Sequence, residues 1–130
     1  METKVFFRVN NIDTQQGLWY DQKGEFTGLI HDKFSFCQNT SLRMDFDSDI
    51  VGYVSVVETL EQLYAWFSKE DIFKLQEHGW FIHQYTSDDY KWYDRFSHYV
   101  MNQENSVKVE NFRILKRDGE LGITYGFDQV

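Results

Sequence analysis

Only one stretch of this chain, residues 59 to 78, carries apolar residues at helical spacing, and the segments around it alternate apolar and polar with a period of two. Thr59 with Gln62 three positions on forms a capping box, and Leu60, Leu63, Tyr64 and Phe67 supply the buried stripe behind it. Ser68 followed by Asp71 starts a second helical turn carrying Ile72 and Leu75, which Gly79 ends as a C-terminal cap. The spacing predicts two helices or one bent helix over 59–78.

Strands are expected on both sides of that segment. "KVFFRVN" (4–10) sets Val5, Phe7 and Val9 on one face and turns Arg8 away from it. "GLWYDQKGEFTGLIH" (17–31) has the pattern of a hairpin turning at Gly24, and 38–41 that of a loop. "IVGYVSVV" (50–57) is β-branched and apolar, "WFIHQYT" (80–86), "HYVMN" (98–102) and "VKVENFRIL" (107–115) follow, and "DDYKWYDRFS" looks like an aromatic connection. A turn at Asp118-Gly119 leads into a last strand, "ELGITYGF". The sum is an α+β chain of one domain, 1–130, with a mainly antiparallel sheet of about six to eight strands and one central helical segment.

The chain is acidic, with a formal charge of −8 across 130 residues, and the acidity is concentrated. Residues 45–94 hold eleven acids against three lysines, whereas the flanking segments balance. A polyanion is repelled by such a middle region, so nucleic acid is not an expected partner; a basic protein surface is. No apolar run approaches the roughly 20 residues that span a bilayer. One cysteine, Cys37, forms no internal disulfide, and the basic start and long apolar stretch of a signal peptide are missing, so a cytoplasmic setting is expected.

Asp45, Asp47 and Asp49 imitate the first ligands of a calcium loop. The positions that need glycine and a bidentate glutamate hold Ile50 and Val56, so no metal site is expected there. The four histidines, His31, His78, His83 and His98, show no i, i+3 or i, i+4 pairing. Cys37 has no local activator. Trp19, Tyr20, Trp92 and Tyr93 are more aromatic surface than a small domain readily buries with its polar tips satisfied, and are candidates for a cleft or an interface.

In its order of elements the chain resembles the ADP-ribosyltransferase fold. Arg8 stands in the first strand, Ser55 in a middle strand just before a helix, and Gln103 and Glu104 in a polar turn near the closing strands. The resemblance implies NAD as cofactor, with Arg8 holding the dinucleotide, Ser55 steadying the nicotinamide-side ribose and Glu104 stabilising an oxocarbenium-like transition state. Two departures are visible. The family's serine lies in a Ser-Thr-Ser-like run, where this chain has Tyr53, Val54, Val56 and Val57 as neighbours. Its glutamate stands at the head of a late strand in Glu-x-Glu or Gln-x-Glu, whereas Gln103 and Glu104 are adjacent and the head of "HYVMN" is His98. The run from "GLWYDQKGEF" to "GYVSVVETLEQLYAWFSKEDI" is similar to short proteins carried by tailed phages, which implies an accessory role in a host cytoplasm. Two functions follow as expectations: an NAD-binding cleft of ADP-ribosyltransferase type, or a non-catalytic acidic module that inhibits a host protein or joins the virion.

Overall fold

The structure, a computed structural model, describes residues 2–18, 33, 34, 36, 37 and 48–125. The hairpin expected at 17–31 falls almost entirely outside these residues, as do the 38–41 loop, His31, Asp45 and Asp47. Strand β1 (Lys4–Asn11) is followed by a 3₁₀ turn (Ser48–Ile50), β2 (Tyr53–Val56), helices α1 (Leu60–Trp66) and α2 (Lys69–Leu75), a 3₁₀ turn (Gln76–His78), β3 (Trp80–Ser87), β4 (Tyr90–Tyr93), β5 (His98–Asn102), β6 (Val107–Arg117) and β7 (Glu120–Tyr125). The strands form two antiparallel sheets, ordered β1-β3-β6-β7 and β2-β5-β4. The α+β class and the mainly antiparallel character match the sequence pattern.

The caps behave as their residue types dictate. Thr59 and Gln62 make the reciprocal capping box, Ser68 accepts from the Asp71 amide, and Gly79 closes the helical segment at φ 89°. Two stretches differ from the pattern. β2 is shorter than 50–57, because Ile50 ends a 3₁₀ turn and Gly52, at φ 92°, redirects the chain before Tyr53. The aromatic connection contains a strand: Tyr90–Tyr93 pairs with His98–Met101 across a four-residue loop that Ser97 completes in the left-handed region at φ 55°.

Period two gives β1 two faces with different fates. Val9 joins Ile82, Phe112 and Ile114 beneath Leu63, Trp66, Ile72 and Leu75 of the helices, forming the main core. Phe6, Arg8 and Asn10 look the other way, opposite Tyr85, His83 and Phe81 of β3. Phe6 and Tyr85 meet Val54, Val56 and Met101 of the three-stranded sheet in a second core. Beyond Phe6 and Tyr85 that inward face turns polar.

The two sheets touch through one backbone bridge, Phe7 with Val57, closed by bonds of 2.8 and 3.1 Å. Two residues along β2 a side chain takes over. The Arg8 guanidinium donates to the Ser55 carbonyl at 2.7 Å, so the sheets part where an arginine occupies the ladder position.

Candidate functional site

Six polar side chains on this inward face are almost completely withdrawn from solvent: Arg8, Asn10, His83, Tyr85, Gln103 and Asn111. Buried polar groups are costly unless hydrogen-bonded, and most of these are. Arg8 Nε donates to Asn10 Oδ1, and Asn10 Nδ2 donates to the Tyr85 hydroxyl at 2.9 Å and to Gln103 Oε1 at 3.3 Å. The Tyr85 hydroxyl donates to Gln15 Oε1 at 2.6 Å, and Gln103 Nε2 donates to the Gln15 backbone carbonyl at 2.7 Å. His83 Nδ1 is bonded to the Phe81 carbonyl at 2.9 Å, which can only accept, so Nε2 is the acceptor that Gln15 Nε2 meets at 3.0 Å. Burial pushes the His83 imidazole down to about 4, which keeps it neutral. Asn111 Oδ1 has no hydrogen-bond partner among the described residues.

Arg8 is the cation of this interior, and no carboxylate faces it among the described residues. Its partners are an amide and a carbonyl, and burial lowers it to about 10, still protonated at neutral pH. A buried cation held by neutral acceptors alone is an uncommon arrangement, because its desolvation is only partly offset.

Ser55 extends the network to a second histidine. His98 Nδ1 faces the Phe96 carbonyl at 3.3 Å, so the neutral ring presents Nε2 as acceptor, and the Ser55 hydroxyl donates to it at 3.0 Å. Both side chains lie on one face of the three-stranded sheet, Ser55 opposite Val100 in β5 and His98 at the head of that strand. Trp66 of α1 crosses the His98 ring edge-on, with centroids 5.2 Å apart. Burial lowers the His98 pKa, partly opposed by the Phe96 carbonyl.

His98 borders a cleft of about 220 Å³. Its walls are Val56 at the end of β2 with Val57 and Glu58 after it, Gln62, Ala65 and Trp66 on α1, and Trp92, Ser97, His98 and Tyr99 on the β4–β5 hairpin. Trp92 is about half exposed and meets Tyr99 edge-on at 5.1 Å. Glu58 is the charged wall residue, and Lys4 holds it at 3.3 Å. Neither Arg8 nor Ser55 is a wall residue; of the three linked residues only His98 borders the cleft.

The structure therefore brings together two of the three residues expected from sequence, and adds His98. Glu104 stays apart. Asp89 fixes the turn that carries it, accepting from Tyr53 at 2.6 Å and from Asn105 at 2.8 Å, and its backbone carbonyl accepts the Asn102 amide at 2.9 Å. The turn so held sends Gln103 inward and leaves Glu104 exposed, without a hydrogen bond or ion pair among the described residues. Only the position of His98 at a strand head could have pointed to it in the sequence; its contact with Ser55 needs the β2–β5 register. Cys37 is half-buried, and burial raises its thiol to about 12, which leaves it unreactive. No cluster of three metal-ligating side chains occurs among the described residues, and no helix is long and apolar enough to cross a membrane.

Comparison of the chain with protein-family models, with curated proteins and with solved structures finds no match in any of the three.

Proposed function

We propose that the chain is a nucleotide-binding protein of ADP-ribosyltransferase type, whose cleft takes the nicotinamide end of NAD and which lacks the carboxylate that drives transfer. The observation carrying this reading is the linkage of Arg8 to Ser55 and of Ser55 to His98, at 2.7 and 3.0 Å. The family's arginine, serine and late-strand head thereby correspond to three connected residues. Trp66, Trp92 and Tyr99 offer a planar ring stacking partners, and about 220 Å³ suits one end of a dinucleotide rather than the whole. Arg8 acts from behind the wall, holding Ser55 and adding positive potential toward the phosphates. A neutral imidazole at the strand head carries no negative charge to stabilise an oxocarbenium ion, so binding without turnover is the expected behaviour. Titration of NAD against tryptophan fluorescence should show saturable quenching that Trp92→Ala weakens, with no nicotinamide released. Absence of quenching at millimolar NAD would remove this reading.

A second reading is favoured by the surface. Glu61, Glu70, Glu77, Asp88 and Asp94 are exposed and form no ion pair among the described residues. Exposed acidic side chains of this kind fit a basic surface on a host protein, the partner expected from the charge distribution. An arginine-rich peptide should bind with an affinity that falls steeply with salt, and replacement of Glu61, Glu70 and Glu77 by Gln should weaken it.

A further inference from the structure

The walls of the cleft are aromatic and anionic. Trp66, Trp92 and Tyr99 line it, Glu58 is its charged residue, and no Lys or Arg stands among the described residues that form it. We infer that the cleft binds a quaternary ammonium, a trimethylammonium head group, against these rings with Glu58 as counter-ion. Neither Arg8 nor Ser55 is needed for this, so it stands apart from the nucleotide reading.

A cation is attracted to the π face of an aromatic ring, most strongly to tryptophan. The rings here come from separate elements and stand crossed: Trp92 meets Tyr99 at 78° with centroids 5.1 Å apart, and Trp66 meets His98 at 79° with centroids 5.2 Å apart. A head group in the cleft is thus bordered by aromatic surface from α1 and from the β4–β5 hairpin. His98 adds no repulsion, because burial lowers its pKa and leaves the ring neutral at pH 7. The volume of about 220 Å³ lies below the roughly 300–1,000 Å³ of sites for drug-sized ligands and suits a compact group.

Two wall residues already hold a cation of the chain's own. Lys4 lies outside the lining, yet its ammonium is 3.3 Å from Glu58 Oε2 and 5.6 Å from the centroid of the Tyr99 ring. Glu58 Oε1 has no partner among the described residues, so the carboxylate can face a second cation. Hydrogen bonding selects the kind of cation. A primary ammonium brings three donors, and two acceptors in the walls are spent: Gln62 Oε1 accepts the Glu58 and Thr59 amides at 2.9 and 3.1 Å, and His98 Nε2 accepts the Ser55 hydroxyl at 3.0 Å. A quaternary ammonium brings no donor, so none is left unsatisfied against the rings.

The test is isothermal titration calorimetry at low salt with choline and with its neutral isostere, 3,3-dimethyl-1-butanol. Choline should bind saturably in the millimolar range or tighter, and the isostere at least about tenfold more weakly. Trp92→Ala and Glu58→Gln should each weaken choline at least about fivefold; both side chains are exposed, so neither change touches the core. Lys4→Met, which frees Glu58 from its present partner, should tighten it. Absence of choline binding, equal binding of the isostere, or a Glu58→Gln affinity equal to wild type overturns the inference. A peptide carrying trimethyllysine distinguishes the source of the head group: tighter binding than choline assigns it to a protein side chain, weaker binding to a free small molecule, and an unmodified lysine peptide that binds equally well overturns the selection for a quaternary cation. Choline binding in a protein that NAD fails to quench removes the nucleotide reading alone, and quenching without choline binding removes the cation site alone.

Discussion

Arg8 and Ser55 belong to different sheets, and the guanidinium of the first donates to the carbonyl of the second at 2.7 Å, two residues past the Phe7–Val57 bridge that joins them. A cation thus replaces a backbone rung in a setting without a counter-charge among the described residues. Its removal has two opposing effects on stability. Arg8→Met relieves a desolvation penalty of several kcal/mol and leaves Asn10 Oδ1 and the Ser55 carbonyl without this donor, at about 1–3 kcal/mol each. Urea denaturation should accordingly find the variant within about 2 kcal/mol of wild type. NAD quenching should weaken at least tenfold, about 1.4 kcal/mol. A stable variant with unchanged NAD affinity would show that Arg8 is only architectural.

Gln76 extends the four-stranded sheet without being part of a strand. Its amide accepts from the Ile114 N–H at 2.6 Å and donates to the Ile114 carbonyl at 2.9 Å, as a paired residue would. Ile114 is fully buried, so its backbone groups have no recourse to water. Gln76→Ala should destabilise the fold by about 1–3 kcal/mol in urea, whereas Gln76→Glu keeps the acceptor and loses the donor, and should fall between.

Patterns confined to neighbouring residues were legible in the sequence. Thr59 and Gln62, Ser68 and Asp71, Gly79, and the Asp118-Gly119 turn each depend on backbone geometry within a few positions, and each forms where the residues predict. Ser55 and Arg8 were legible as candidates because each stands in a recognisable strand. What joins them was not: the contact spans 47 positions and arises where two sheets split. His98 is the clearest case, since one histidine among four acquires a role only once β2 lies beside β5. The strand Tyr90–Tyr93 escaped because its four residues, three of them aromatic, show too short an alternation to register as period two.

His83 makes stability pH-dependent in a defined direction. Its folded pKa of about 4 lies below the unfolded value of 6.5, so between these limits the unfolded chain binds the additional proton. Stability is complete above pH 6.5 and declines as pH falls through the window. His98, also lowered by burial, adds with the same sign. From pH 6.5 to pH 5, above the range in which most carboxylates titrate, the His83 contribution amounts to about 2 kcal/mol. Urea midpoints across this range should fall accordingly, and His83→Gln should flatten the dependence; a wild-type midpoint that does not change would contradict the burial of a neutral imidazole.

Asn111 sits opposite His83 on β6 with a carbonyl oxygen that meets no donor among the described residues. Replacing it by an apolar side chain of similar volume removes that buried acceptor. Asn111→Leu should raise stability by about 1–2 kcal/mol, measured by thermal and urea unfolding. A loss instead would mean that the amide bonds to an ordered water whose contribution exceeds its desolvation.

The head of β5 decides between the two carboxylate positions. Glu104 is exposed on the turn after β5, so Glu104→Gln should change neither NAD quenching nor stability beyond about 0.5 kcal/mol. His98 faces the Ser55 hydroxyl, and His98→Glu would set a carboxylate there, against the serine that steadies the ribose in the proposed complex. Negative charge at that point is what an oxocarbenium-like transition state requires. Nicotinamide release from NAD should then exceed the wild-type rate at least tenfold, with the fold intact by circular dichroism. If His98→Glu still binds NAD and releases none, the strand head is not the counterpart of the family's glutamate, and the likeness between Arg8, Ser55, His98 and that site is one of arrangement without chemistry.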